Sequence, residues 1–91
     1  MNANPSIKQK ITNISGVPKD VAMGIPILTI LGDIEISLEN YSGIIEYTDY
    51  LIRIRTKTGQ IIVTGSKLQI DYYTNDEMKI HGKIDSIELK N

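Results

Sequence analysis

The chain has no cysteine, no phenylalanine and no tryptophan, only one histidine, and no excess of charge of either sign. Each absence excludes something. Without cysteine there are neither disulfides nor thiolate metal sites. A lone His81 leaves no histidine pair to anchor a metal. Ten Lys plus Arg stand against eleven Asp plus Glu, a formal net charge of −1. That balance argues against a general attraction to nucleic acid or acidic membranes. No apolar run approaches the ~18 residues of a membrane span. The start lacks the charged-then-apolar pattern and cleavage site of a secretory signal. No phosphate-loop, dinucleotide or nucleophile-elbow motif occurs, so the expectation is a protein that is not an enzyme and takes no cofactor or metal.

What is present is aliphatic. The chain has 91 residues, 41% of them hydrophobic, and isoleucine dominates that set. This length fits one domain. Such a domain buries a bit over roughly 60% of the surface its unfolded chain exposes, so its stability is modest and rests on aliphatic packing.

Two regions differ in pattern. Residues 1–24 form an N-terminal segment in which Ile7, Ile11 and Ile14 recur at helical spacing. Ser6 can cap a short helix, and Gly16 with Pro18 would stop it. A nine-residue helix is marginal alone, so its isoleucine face needs a surface. That surface is the chain's own sheet, or else a partner or membrane, although membrane-surface helices are usually longer and more basic.

Residues 25–91 read as a single β domain, because the period becomes two. Ile27 to Leu31 is mainly apolar and ends at Gly32. Ile34, Ile36 and Leu38 alternate with Asp33, Glu35, Ser37 and Glu39, as in a half-buried strand. Asn40 to Gly43 reads as a turn, and Ile44 to Thr48 as a strand. Ile52 and Ile54 alternate with Arg53, Arg55 and Lys57. Lys57 to Gln60 reads as a hairpin turn. Ile61 to Thr64, a strand through Leu68, Ile70 and Tyr72, a turn at Thr74 to Asp76, and strands over Met78 to His81 and Ile84 to Leu89 complete the set. Alternation slips at Asp85 and Ser86, the mark of a bulge. About eight short strands imply an all-β fold, a small antiparallel sandwich, roll or barrel with a short N-terminal helix. The apolar phase places Ile34, Ile36, Ile52, Ile54, Ile70 and Ile80 in the core. At least two of Gly43, Gly59 and Gly65 are expected at positive φ. Glycine also recurs between apolar residues at Gly32, Gly65 and Gly82, where it suits a sharp bend or a close backbone approach.

Few constellations carry chemistry. His81 beside a turn reads as a surface residue, with Asp71, Asp85 and Glu88 within reach only through the fold. Asp33, Glu35 and Glu39 share one strand face, alternate residues being roughly 6.6–7 Å apart. Paired carboxylates at such spacing can serve hydrolysis, but alternation already explains them as a solvated face. Arg53, Arg55 and Lys57 make a basic row. Beside the acidic strand they would form cross-strand ion pairs. Exposed, they would be a strip for phosphate, nucleic acid or an acidic partner. With tyrosines 41, 47, 50, 72 and 73 as stacking platforms, the second class of reading is a single-stranded nucleic-acid-binding β module, against which the balanced charge speaks.

The order of short motifs adds a resemblance. Pro18-Lys19-Asp20-Val21 precedes Pro26 and Thr29-Ile30-x-Gly32. Then come Glu39-Asn40-x-x-Gly43-Ile44-Ile45-Glu46-Tyr47-Thr48 and Ile52-Arg53-Ile54-x-Thr56. Gly59-x-Ile61-x-Val63-x-Gly65-x-x-Leu68-x-Ile70 and Ile80-x-Gly82-x-Ile84-x-Ser86-Ile87-Glu88 follow. This ordered set, from Pro18 to Glu88, resembles the YabP/YqfC family of sporulation proteins, and its YqfC-like branch more closely. The resemblance implies an endospore former of the Bacillus or Clostridium type. It implies a small non-enzymatic protein of the mother-cell cytoplasm, peripheral at the forespore membrane, that helps build the spore envelope. It also implies a protein partner, a sporulation membrane protein encoded nearby, and leaves room for a homo-oligomer. It brings no catalytic, metal or cofactor residues. The candidate interaction surface is therefore Arg53, Arg55 and Lys57, together with the isoleucine face of Ile7, Ile11 and Ile14.

Overall fold

Period-two alternation is realised as six strands in a computed structural model that describes residues 24–91. They are β1 (Ile27–Leu31), β2 (Glu35–Glu39), β3 (Tyr41–Tyr47), β4 (Leu51–Thr56), β5 (Gly59–Tyr73) and β6 (Glu77–Lys90). All neighbours are antiparallel, in the order β1-β2-β6-β5-β4-β3. The fold is all-β, and no helix occurs among the described residues. The expected helix with Ile7, Ile11 and Ile14 lies outside them.

Six strands replace the expected eight because two glycines bend strands instead of ending them. The runs on either side of Gly65 are one strand, β5, and those on either side of Gly82 are one strand, β6. The long β5–β6 hairpin is the spine of the sheet. Its half near the Thr74–Asp76 turn pairs with β2, and its other half pairs with β4. The ladder is irregular between these halves. Thr64 pairs with Ser86 but Gly65 with Ile84, which leaves Asp85 as the extra residue. That is the bulge expected from the slipped alternation. Next, Lys67 and Leu68 stand against Gly82 alone, between the pairs Ser66–Lys83 and Gln69–His81. Bulges bend a strand and increase its twist.

Glycine is needed at this bend for two different reasons. Gly82 has φ 145°, in the region that side chains rarely adopt. A Cβ on Gly65 would lie 2.0 Å from the Lys83 carbonyl oxygen, so the two backbones touch there. Of Gly43, Gly59 and Gly65, only Gly59 has a positive φ, at 149°, so the expectation of two is corrected. Gly43 sits within β3, where the chain runs extended, and the turn before that strand is made by Asn40 at φ 66°.

The bent hairpin rolls the sheet so that its two halves share one core. Ile36, Ile52, Ile54, Val63 and Ile80 are fully buried in one cluster with Leu38, Ile61, Leu68 and Met78. Two tyrosines tie the far edge across the roll. The Tyr41 hydroxyl donates to the Thr74 carbonyl, and the Tyr47 hydroxyl accepts from the Ile70 N–H at 3.0 Å. Four of the six expected core isoleucines are buried, and Ile70 is half-buried against the cluster. Ile34 is not: it is 55% exposed. The strand begins one residue later, at Glu35, and Ile34 belongs to the preceding turn, where its N–H bonds to the Leu31 carbonyl at 3.2 Å. Alternation in sequence continues through a turn, but the pleat that gives it meaning does not.

Candidate functional site

The basic row lies on β4, flanked by β3 and β5, and not beside the acidic strand. The register sets Arg53 opposite Glu46 and Ile62, and Arg55 opposite Gly43 and Gln60. Strand β2, which carries Glu35 and Glu39, pairs with β1 and β6 instead. No ladder joins the acidic and basic rows, because two strands separate β2 from β4 in the sheet. Arg53 finds its counter-charge on β3. Its Nε lies 3.1 Å from Glu46 Oε1, as a charge contact and not an aligned hydrogen bond. Arg55 is exposed and makes no ion pair with a described residue. Lys57 is exposed at the β4–β5 turn.

The acidic residues are paired elsewhere. Glu35 Oε2 lies 3.6 Å from Lys79 Nζ on β6. Asp33 accepts from the Lys83 ammonium. That hydrogen bond first, and then the lysine charge, holds the Asp33 carboxyl below its ordinary value, and Lys83 is raised in turn. A lowered carboxyl is the wrong way round for a general acid. Glu35 and Glu39 sit at opposite ends of β2, about 13 Å apart along an extended strand. These carboxylates do not converge.

His81 is half-exposed on β6, its Nδ1 against Asp71 Oδ1 of β5. This contact needed the fold to form. The bulge that places Asp71 between the pairs Ile70–Ile80 and Tyr72–Lys79 brings it there. The described residues hold no group of three His, Cys, Asp or Glu side chains arranged to take a metal.

The tyrosines do not interleave with the basic row. Tyr41 is buried, and Tyr47 lies opposite Ile52, on the other side of the pleat from Arg53. Tyr50, Tyr72 and Tyr73 are exposed but flank neither Arg53 nor Arg55 in the register. Stacking platforms beside the cations are thus missing from this face. The two cross-roll hydroxyl bonds of Tyr41 and Tyr47 were not read from sequence, and the only signal for them is a tyrosine at each end of β3.

A hollow of about 120 Å³ opens between Pro26, Leu28, Thr56, Ile61 and Leu89, and a shallower one of about 270 Å³ lies beside Asn40, Tyr41, Lys57 and Asp76. Sites for drug-sized ligands run to ~300–1,000 Å³. The described residues also present a charged outer face and two strand edges. No helix among them is long and apolar enough to cross a membrane.

Comparison with known proteins places this geometry in a lineage. The chain is 30% identical over 81 residues to the uncharacterized protein YqfC of Bacillus subtilis (strain 168), an alignment that covers 89% of this chain and 87% of that one. Residues 26–91, which span all six strands, match the YabP family. The chain belongs to that family.

Proposed function

We propose that this protein is a non-enzymatic interaction and assembly module in endospore formation. It works in the mother-cell cytoplasm, against the forespore membrane, with a sporulation membrane protein as its partner. The observation that carries this reading is the family match across the whole sheet. The resemblance to sporulation proteins supplies the process, and the surface supplies the mode of action. A rolled sheet that presents charged outer faces and strand edges is suited to recognition by surface contact.

Within that reading, Arg55 is the foremost contact residue on the basic row. Arg53 already has Glu46, whereas Arg55 projects its charge to solvent beside the edge strand β3. Arg55→Glu therefore separates recognition from folding. Surface substitutions of this kind usually change stability by within ~0.5 kcal/mol. The melting temperature of the purified variant is expected to stay near that of the wild type. In sporulating cells the variant is expected to lose capture of its membrane partner and to reduce spore yield. Normal spores from cells that lack the protein altogether would overturn the sporulation reading. Normal capture and spore yield with a stable Arg55→Glu protein would overturn the role of this face.

A further inference from the structure

The two edges of the sheet are built differently. Strand β3 is a guarded edge. Two register shifts interrupt it, between Tyr41 and Gly43 and between Ile44 and Glu46, it carries a charged residue, and its tyrosines at both ends are bonded across the roll. Bulges and charges are common means by which natural sheets prevent edge-to-edge pairing. Strand β1 has neither. Its five residues pair with β2 without interruption, from Ile27–Glu39 to Leu31–Glu35. It contains no charge and no proline, and no described strand lies on its other side. Ile30 and Leu31 are more than half exposed, and Ile27 is 36% exposed.

The sequence of β1 also reads nearly the same in both directions. Ile27 and Leu28 precede Thr29, and Ile30 and Leu31 follow it. We propose that this edge pairs with the same edge of a second copy of the chain, antiparallel about Thr29, to form a symmetric dimer with one continuous sheet. A two-fold interface must be self-complementary, and this strand is. Ile27 would oppose Leu31 of the second copy, Leu28 would oppose Ile30, and Thr29 would oppose itself. Apolar pairs and threonine pairs are favourable across antiparallel strands, and no like charges meet. The faces agree as well, since odd residues meet odd and even meet even, so Leu28 and Ile30 would extend the apolar lining of each roll into the other. A slip of two residues shortens the five-residue overlap and sets Thr29 against Ile27 or Leu31, so the centred register is preferred. The pairing involves five residues on each side, and small contacts of this kind characterise weak, concentration-dependent association.

This inference stands apart from the sporulation reading, because it is tested on the purified full-length chain. Sedimentation from micromolar to millimolar concentration is expected to show a monomer–dimer equilibrium. Thr29 is exposed, so Thr29→Lys should keep the fold, checked by thermal melting, while it sets two like charges together on the two-fold axis and leaves a monomer throughout. The absence of native cysteine permits a second measurement. Directly opposed residues on antiparallel strands have Cα atoms ~4.5–5.5 Å apart, within the span of a disulfide. Under mild oxidation Thr29→Cys is expected to give a covalent dimer much faster than Ser42→Cys, an exposed position on the guarded edge. A wild-type monomer at every concentration, with Thr29→Cys linking no faster than Ser42→Cys, overturns the proposal. In that case, slow amide exchange along β1 would assign the edge to the chain's own first residues, and fast exchange would leave it for a different protein; neither result rescues the dimer.

Discussion

Gly65→Ala and Gly43→Ala make the same chemical change on neighbouring parts of one sheet, yet the local geometry gives them different energetics. Both glycines have ordinary negative φ, so neither substitution strains the torsion itself. Both restrict the unfolded chain, which favours folding by ~0.4–1 kcal/mol when the new side chain fits. At Gly43 nothing lies within 4 Å of the added Cβ. Gly43→Ala should therefore hold or slightly raise stability. At Gly65 the added Cβ meets the Lys83 carbonyl oxygen at 2.0 Å and the Ile84 Cα at 3.1 Å. Comfortable carbon–oxygen contacts begin near ~3.3 Å, so main chain must retreat by more than an ångström. Both obstacles are backbone, and no rotamer change relieves them. The retreat opens the β5–β6 ladder at the bend on which both halves of the sheet depend. Overpacking typically costs ~1–3 kcal/mol, and each weakened ladder bond adds ~1 kcal/mol. The net expectation is ~2–4 kcal/mol of destabilisation for Gly65→Ala, a large share of the ~5–15 kcal/mol that holds a domain folded. Urea unfolding followed by far-ultraviolet circular dichroism reads this directly. The midpoint should fall sharply for Gly65→Ala and not for Gly43→Ala, with the slope unchanged in both. Equal midpoints would mean that the two backbones do not touch at Gly65, and the account of the bend would fail.

Two further outcomes follow from the core. Ile54→Ala should destabilise the fold by ~2–5 kcal/mol, whereas Ile34→Ala, in an exposed turn, should stay within ~0.5 kcal/mol by the same urea assay. Tyr41 is held above its ordinary value of 10.0, mainly by burial and then by the charges of Tyr73 and Asp76. A raised folded-state value favours the protonated phenol. Its contribution is thus complete below the ordinary value and is lost as pH rises through the folded one. Tyr41→Phe should accordingly flatten the loss of stability above pH 10.0, in urea midpoints compared on either side of that value.

How much of this was legible in the sequence differs by the kind of interaction. Strand positions with consistent alternation were readable, because burial on one face imposes a period of two. Ile36, Ile52, Ile54 and Ile80 follow from it directly. The two hairpin turns at Lys57–Thr58 and Thr74–Asp76 follow from their turn residues. Strand continuity was not readable at Gly65 and Gly82, because glycine permits a turn and a bend equally, and only the partner strand decides which occurs. Strand order was not readable either, since alternation says which face a residue takes but not which strand lies beside it. That gap is why Arg53 could be assigned an acidic neighbour yet not the right one. It came from β3 and not from the acidic strand.

The same distinction bears on what the family relationship means. The residues on which the resemblance is read include many that fill or bend the sheet, such as Ile52, Ile54, Ile61, Val63 and Leu68 in the core and Gly65 and Gly82 at the bend. Arg55 falls at one of the unspecified positions between them, in Ile52-Arg53-Ile54-x-Thr56. The apolar edge from Ile27 to Leu31 lies within residues 26–91 of the family match, and the motif order read from the sequence touches it at Thr29-Ile30. The core and bend part of that pattern transmits an architecture. It constrains recognition only by fixing which positions reach the surface, and the side chains at those positions are free to differ between relatives that meet different partners. The membrane-protein contact proposed for Arg55 and the self-pairing proposed for β1 are therefore properties to be measured on this chain, and a relative with a charge at the position of Thr29 should share the fold and lack the dimer.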